Sequence, residues 1–489
     1  MGSYLNPENA LFKMAVNSQI FVDKSMLIDV TNRYLNTMQR FICVSRPRRF
    51  GKSVAADMLA AYYDRSVDSF ALFEHLEISS QKSYGIHLNQ YDVIKLNMQE
   101  FLSGTKNVDE MLERIQKFLI FDLLDAYHQV RFRDEKSLIQ VMKDVYSHTG
   151  HPFVILIDEW DCLFREYKHS EEAQKKYLDF LRAWLKDKDY VALAYMTGIL
   201  PIKKLKTQSA LNNFEEFTML DAGRMAPYVG FTEEEVHDLC DRYGQIYEQV
   251  KLWYDGYSLE GYQVYNPKAV VSLMLNGKYK SYWSNTGSYE AIVPLINMNF
   301  DGLRAAIIEM MSGAAVDVDV TSFQNDTVSF ANRDDVLTYL IHLGYLAYDQ
   351  DREQVFIPNE EIRHELNNAV KRNKWNEMIT FQKESADLLD ATLDMDEKAV
   401  ADGIERIHQE YSSVIQYNDE NSLSCTINLA FYFAREYYTI IRELPAGKGF
   451  ADICFIPRKQ HLDKPAVVIE LKWDKSACGA LKQIKEKCY

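Results

Sequence analysis

Runs that are apolar at nearly every position recur through the first half of the chain. Phe41-Ile42-Cys43-Val44, Phe153-Val154-Ile155-Leu156-Ile157 and Tyr190-Val191-Ala192-Leu193-Ala194-Tyr195-Met196 predict strands covered on both faces, as in a parallel sheet. Tyr91–Leu96 and Phe217–Leu220 are further strand candidates. Between them the apolar positions shift to helical spacing, as at Leu178, Leu181 and Leu185. Residues 1–225 therefore predict an α/β domain with a mainly parallel sheet and helices on both faces.

From Phe231 the pattern changes. Thr232-Glu233-Glu234-Glu235 has the residues of a capping box, with Thr at the cap and Glu three places on. Short helices and aromatic turns follow, including Trp253-Tyr254-Asp255-Gly256-Tyr257, whose rings are expected to pack helices together. Asp335–Tyr348 predicts a helix running into a hairpin, completed by Gln354–Pro358. Residues 226–375 thus read as a helical lid, compatible with a winged-helix-like module. Residues 376–489 form a third segment, helical and acidic to about residue 415 and strand-like towards its end.

A chain of 489 residues is too long for one ordinary domain. It is 47% hydrophobic and 26% charged, as soluble globular proteins are. No apolar run reaches the roughly 18 residues of a membrane helix, and no secretory signal is visible, so no membrane partner is expected. Seven cysteines without a C-x-x-C pair point to a reducing, cytoplasmic setting and away from zinc. The net charge of −16 excludes general coating of nucleic acid but leaves room for local basic patches. Such patches are Arg46, Arg48 and Arg49; Lys203, Lys204 and Lys206; and the lysines from Lys472 to Lys487.

The first patch lies in the stretch Arg46-Pro47-Arg48-Arg49-Phe50-Gly51-Lys52-Ser53, between a predicted strand and a predicted helix. Strand, loop ending in Gly-Lys-Ser, helix is the layout of a P-loop. Its N–H groups favour anions, the lysine reaches the β- and γ-phosphates, and the serine hydroxyl ligates Mg²⁺. Arg46 stands where the first glycine of G-x-x-x-x-G-K-[ST] belongs. Downstream, Asp158-Glu159 ends a buried strand, where open α/β sheets bind ligands. As a Walker B pair, Asp158 would sit in the Mg²⁺ shell and Glu159 would orient or deprotonate the attacking water. Thr197, ending the Tyr190–Met196 run, is placed to sense a γ-phosphate, or else to serve as a turn residue. The cofactors expected are ATP and Mg²⁺.

A second constellation lies near the C-terminus. Gly447-Lys448-Gly449 predicts a turn into the strand Phe450–Ile456, and Ala466–Trp473 predicts a second strand. A hairpin brings Asp452 beside Glu470, and a period of two puts Glu470 and Lys472 on one face. Two carboxylates can hold Mg²⁺ while the lysine orients a water or offsets charge on a scissile phosphate. This D…E-x-K pattern is that of PD-(D/E)XK nucleases, and predicts an α/β restriction-endonuclease-like domain. Glu443 is an additional acidic candidate, and a helix from Ala480 would bring Gln483 and lysines to a phosphate backbone.

Together these pieces resemble a family of bacterial proteins with an N-terminal AAA-ATPase-like domain and a C-terminal PD-(D/E)XK nuclease-superfamily domain. The resemblance is carried by Phe21-Val22-Asp23-Lys24-Ser25, Arg46–Ser53, Asp158-Glu159-Trp160-Asp161 and Thr197-Gly198-Ile199. It continues through Gly230-Phe231-Thr232, Trp253–Tyr257, Tyr265-Asn266-Pro267, Ile357-Pro358-Asn359 and Glu470-Leu471-Lys472. It implies that Arg46 is a feature of this family's P-loop. The chain departs from the family at Phe450, where Arg is usual. The chain also ends at Tyr489, soon after the predicted Gln483 helix begins and where members of the family run longer, so a closing strand and helix are expected to be absent. Three functions compete: an ATP-driven enzyme cutting DNA, an ATP-dependent switch whose nuclease-like domain binds without cutting, and a small-molecule kinase. ATPases of this broad class often assemble as homo-oligomers, completing each site with a neighbour's arginine.

Overall fold

The frame of the first half is a sheet of five parallel strands: β1 (Phe41–Ser45), β2 (Asp92–Asn97), β3 (Phe153–Asp158), β4 (Val191–Gly198) and β5 (Glu215–Phe217), in the spatial order β2-β3-β4-β1-β5. The computed structural model describes residues 2–471, except 203, 206, 207, 210, 284–288, 299, 325–329, 373–375, 412–419, 447, 448, 459 and 460. Every residue of β1, β3 and β4 is buried, as their unbroken apolar runs require. Helices on the sheet, among them Val108–Ala126, Leu138–Thr149 and Glu171–Leu185, bury leucine, methionine and aromatic side chains in one cluster with the strands. Trp160 and Trp184 lie at its heart, fully covered. The order matters because β4 lies between β1 and β3, so their C-terminal ends share one edge.

The last strand departs from expectation. The strand predicted over Phe217–Leu220 instead occupies Glu215–Phe217. Thr218 ends it by turning the chain: its hydroxyl accepts from the N–H groups of Leu220 and Asp221, and its own N–H donates to the Asp221 carbonyl at 2.6 Å.

The chain divides into two compact units. The first comprises residues 1–282 and 317–361, and the second 283–316 and 362–489. Within the first, Thr232 and Glu235 form the capping box on the helix Glu233–Tyr243. The helix Arg333–Leu343 runs into a hairpin of Ala347–Asp349 and Gln354–Phe356. Two aromatic-rich motifs lock together there. Asn359 Nδ2 donates to the Asp255 carbonyl at 2.7 Å, and the Tyr257 hydroxyl donates to the Gly344 carbonyl at 2.5 Å. Gly256, at φ +113°, passes so close to Pro358 that a Cβ would lie 2.3 Å from its carbonyl oxygen.

In the second unit, helices Asn376–Leu393 and Glu397–Tyr411 precede an antiparallel sheet of β6 (Tyr438–Ala446), β7 (Gly449–Pro457) and β8 (Val467–Ile469). Ala451, Ile453 and Phe455 of β7 are buried, and the Phe455 ring meets Phe431 edge-on with centroids 5.2 Å apart. Among the described residues no helix is long and apolar enough to cross a membrane.

Gly256→Ala is expected to lower stability by about 2 kcal/mol or more, because alanine adds both φ strain and a backbone clash. Urea unfolding followed by tryptophan fluorescence checks this, and a change below about 0.5 kcal/mol would show that the turn relaxes freely.

Candidate nucleotide and metal sites

The loop after β1 leads directly into the helix Lys52–Tyr63, here α1. Gly51 caps it at φ +90°, a conformation open to glycine, and among the described residues no side chain caps the helix start. The first N–H groups of α1 are therefore available to an anion. Lys52 is buried behind them. Its Nζ donates to the carbonyls of Arg46 and Pro47 at 2.9 and 2.8 Å, which keeps the loop folded back over the lysine. Burial lowers its pKa, opposed by Glu159, Asp161 and Asp158 in that order.

Across the edge, the Asp158 carboxylate at the end of β3 ties together α1 and β4. One oxygen accepts from the Ser53 hydroxyl at 2.6 Å, and the other from the Thr197 hydroxyl and from the Glu159 N–H at 2.9 Å. A serine hydroxyl and a carboxylate are the hard oxygen donors that a magnesium-like cation takes, so this pair fits a divalent ion.

Glu159 follows at φ +52°, a left-handed conformation that a non-glycine residue holds only when its surroundings enforce it. Burial raises its pKa, and the neighbouring Arg165 opposes the shift. Arg165 is ion-paired to both Glu159 and Asp161. Asp161 is fully buried, and one of its oxygens accepts from the N–H groups of Ile199 and Leu200 at 3.1 and 2.9 Å. Gly198 makes room for this arrangement, since a Cβ there would lie 2.6 Å from Trp160 Nε1.

Beside Gly51 and Val54 an apolar cavity of about 190 Å³ is walled by Phe21, Val22, Phe50, Met58, Tyr228 and Phe231. Lys24 closes one side, donating to the Pro227 carbonyl at 2.7 Å and pairing with Glu235 at 2.5 Å.

In the second unit, Ile453 of β7 pairs with Ile469 of β8. Asp452 and Glu470 are the next positions along the two chains, and Asp452 accepts a hydrogen bond from the Leu471 N–H at 2.6 Å. The hairpin thus brings together the two carboxylates named from the sequence. Their oxygen-only chemistry fits a hard cation, although among the described residues no group of three or more His, Cys, Asp or Glu residues is arranged to hold a metal ion. Lys472, Gln483 and the lysines up to Lys487 lie outside the described residues, as do Gly447, Lys448, Lys203, Lys206 and the Glu443 side chain.

Comparison with known proteins matches two segments of the chain. Residues 10–207 match the family described as "Predicted AAA-ATPase", and residues 394–489 match the PD-(D/E)XK nuclease superfamily. The chain carries an AAA-ATPase-like domain and a PD-(D/E)XK nuclease-superfamily domain. A protein from the vnfD 5′ region of Azotobacter chroococcum mcd 1 is 24% identical over 365 residues, covering 72% of this chain and 67% of that protein. Among solved structures, Aeropyrum pernix ORC2, in ADPNP–ADP complexes, aligns over 74% of this chain and 93% of its own at 11% identity and a TM-score of 0.31. Aeropyrum pernix ORC1, in complex with DNA, aligns over 78% and 100% at 10% identity and a TM-score of 0.28.

Within the AAA-ATPase-like domain, three side chains of the P-loop stretch turn away from the phosphate side. Arg46, read from the sequence as nucleotide-binding, is fully buried, and its Nη1 donates to the carbonyls of Ser45, Phe217 and Thr218 at 2.9, 3.2 and 2.9 Å. Burial lowers its pKa to about 10. The missing glycine is thus replaced by a staple between the loop and the end of β5. Arg49 donates to the Tyr282 carbonyl at 2.9 Å, and Phe50 is buried edge-on against Tyr257. These three residues can face a phosphate only through their main chain, while Arg48 is exposed. Thr197 is fully buried with its hydroxyl donated to Asp158, so in this structure it braces the carboxylate and does not stand open to a phosphate.

Sequence reasoning gave no role to Asp161 and did not single out Arg165 or the cavity. Arg165 is on the helix Cys162–Glu166, one turn past Asp161, a spacing that permits an ion pair without demanding one. The cavity walls come from segments far apart in sequence. Their sequence signal was that Phe21–Ser25, Arg46–Ser53 and Gly230–Thr232 belong to the family pattern.

Asp161→Ala is expected to destabilise the first unit by about 3 kcal/mol, because it orphans two buried N–H groups and half of an ion pair. Asp161→Asn, which keeps an acceptor, should cost less. Equal losses for the two variants in urea unfolding would contradict this account of the hydrogen bonds.

Proposed function

We propose that the AAA-ATPase-like domain binds and hydrolyses ATP with Mg²⁺ and drives a Mg²⁺-dependent PD-(D/E)XK site that acts on DNA. The observation that carries this reading is the gathering of Lys52, Ser53, Asp158, Glu159 and Thr197 at the shared edge of β1, β4 and β3. The start of α1 and the Lys52 ammonium would take the phosphates, and the apolar cavity beside Gly51 would take the base. Ser53 and Asp158 would hold Mg²⁺, which offsets phosphate charge when bound. Glu159, once turned from Arg165, would orient the attacking water. In the second unit Asp452 and Glu470 would hold the metal, and Lys472 would offset charge on the scissile phosphate. The domain limits 1–225, 226–375 and 376–489 belong to the same proposal.

A second reading, a nucleotide-dependent switch that binds DNA without cutting it, is favoured by one observation: Phe450 occupies the place of the Arg usual in similar proteins.

Glu159→Gln should lower ATP turnover about 100-fold or more while nucleotide still binds. Lys52→Ala should weaken binding itself. If wild-type protein with Mg²⁺ turns over no ATP, the ATPase reading fails. DNA cleavage with Mg²⁺ that disappears in Asp452→Ala and Lys472→Ala would support the nuclease reading, and binding of DNA without cleavage would favour the switch.

A further inference from the structure

One of the loop side chains that turn from the phosphate side, Arg49, reaches a place where the chain leaves the first unit. The chain crosses out of that unit after Tyr282 and again after Glu361. Tyr282 is held on both sides of its main chain. Its N–H donates to the buried Glu361 carboxylate at 2.6 Å, and its carbonyl accepts from Arg49 Nη1 at 2.9 Å. Arg49, Tyr282 and Glu361 thus form one hydrogen-bonded chain within the first unit, from the phosphate loop to both exits. Arg49 makes its bond from a left-handed backbone at φ +70°, a conformation that costs a non-glycine residue energy and depends on its surroundings. The next residue, Phe50, packs on Tyr257, whose hydroxyl is bonded to the Gly344 carbonyl.

We propose that Arg49 is the residue through which nucleotide occupancy is transmitted to the second unit, by tying the phosphate loop to the exits at Tyr282 and Glu361. The proposal rests on the nucleotide-binding reading above and specifies how that site is regulated. A phosphate seated on the start of α1 draws on the N–H groups of the same loop that holds Arg49 at positive φ. A shift of that backbone loads or releases the Tyr282 carbonyl. The Glu361 carboxylate, bonded to the adjacent N–H, follows. Because coupling is reciprocal, a ligand that fixes the second unit changes nucleotide affinity by the same factor.

Hydrogen–deuterium exchange on the full chain tests this, with and without Mg²⁺ and a non-hydrolysable ATP analogue at saturation. In the wild type the analogue should slow exchange in α1 and alter exchange in the second unit's helix Leu303–Met311 and in Glu360–Arg372 by about fivefold or more. Arg49→Ala should keep the slowing in α1 and lose the change in the other two segments, and Arg49→Lys should restore part of it. Glu361→Ala, which leaves the loop untouched, should lose it as well. An unchanged distant response in either alanine variant would overturn the proposal, as would a wild type protected in α1 with no change beyond Tyr282. No protection of α1 in the wild type would overturn the nucleotide reading itself, and this proposal with it.

Discussion

The first unit depends on one buried carboxylate. Asp158 is 3% exposed at the end of β3, where an ionised group without partners would be very costly. It is held there by hydroxyls from two other elements, Ser53 on α1 and Thr197 on β4, and by the next N–H along the chain. Each bond is modest by itself, but together they fix the strand ends and the loop relative to one another. Once Asp158 is set, the Trp160 N–H reaches the Thr197 carbonyl, Asp161 reaches the turn after β4, and Arg165 is brought over Glu159.

Much of this was legible in the sequence because it is local or periodic. All-apolar runs marked β1, β3 and β4, and Gly-Lys-Ser and Asp-Glu lay at strand ends, where α/β sheets place ligands. Thr232 and Glu235 announced their helix start through spacing alone. What could not be read was the direction of side chains that answer to distant partners. Arg46 looked like a phosphate ligand because it lies in the loop, yet its acceptors are carbonyls at Phe217 and Thr218. The cavity needs Phe21, Met58 and Phe231 in one place, and no window of sequence contains them. In the C-terminal domain the Asp452–Glu470 pairing followed from a hairpin's period, whereas the long partner strand β6, Tyr438–Ala446, carries no alternation clear enough to name it.

Glu159 and Arg165 connect the geometry with chemistry. A carboxylate that is to handle water must be ionised and correctly aimed. Here burial works against ionisation, and Arg165 favours it while turning the group aside. Lys52 is similarly engaged, spending donors on loop carbonyls. Both groups are thus satisfied within the protein, and a polyphosphate with its cation would compete for them. Binding and rearrangement at this edge are therefore two aspects of one exchange of partners.

Calorimetric titration of the Asp158→Asn variant tests that picture most directly. Wild-type protein should bind an ATP analogue more tightly with Mg²⁺ than with EDTA. If Asp158 is the hub described, the asparagine variant should bind the metal-free analogue nearly as wild type does and lose the gain from Mg²⁺. An undiminished Mg²⁺ gain in the variant would contradict the account and place the metal elsewhere.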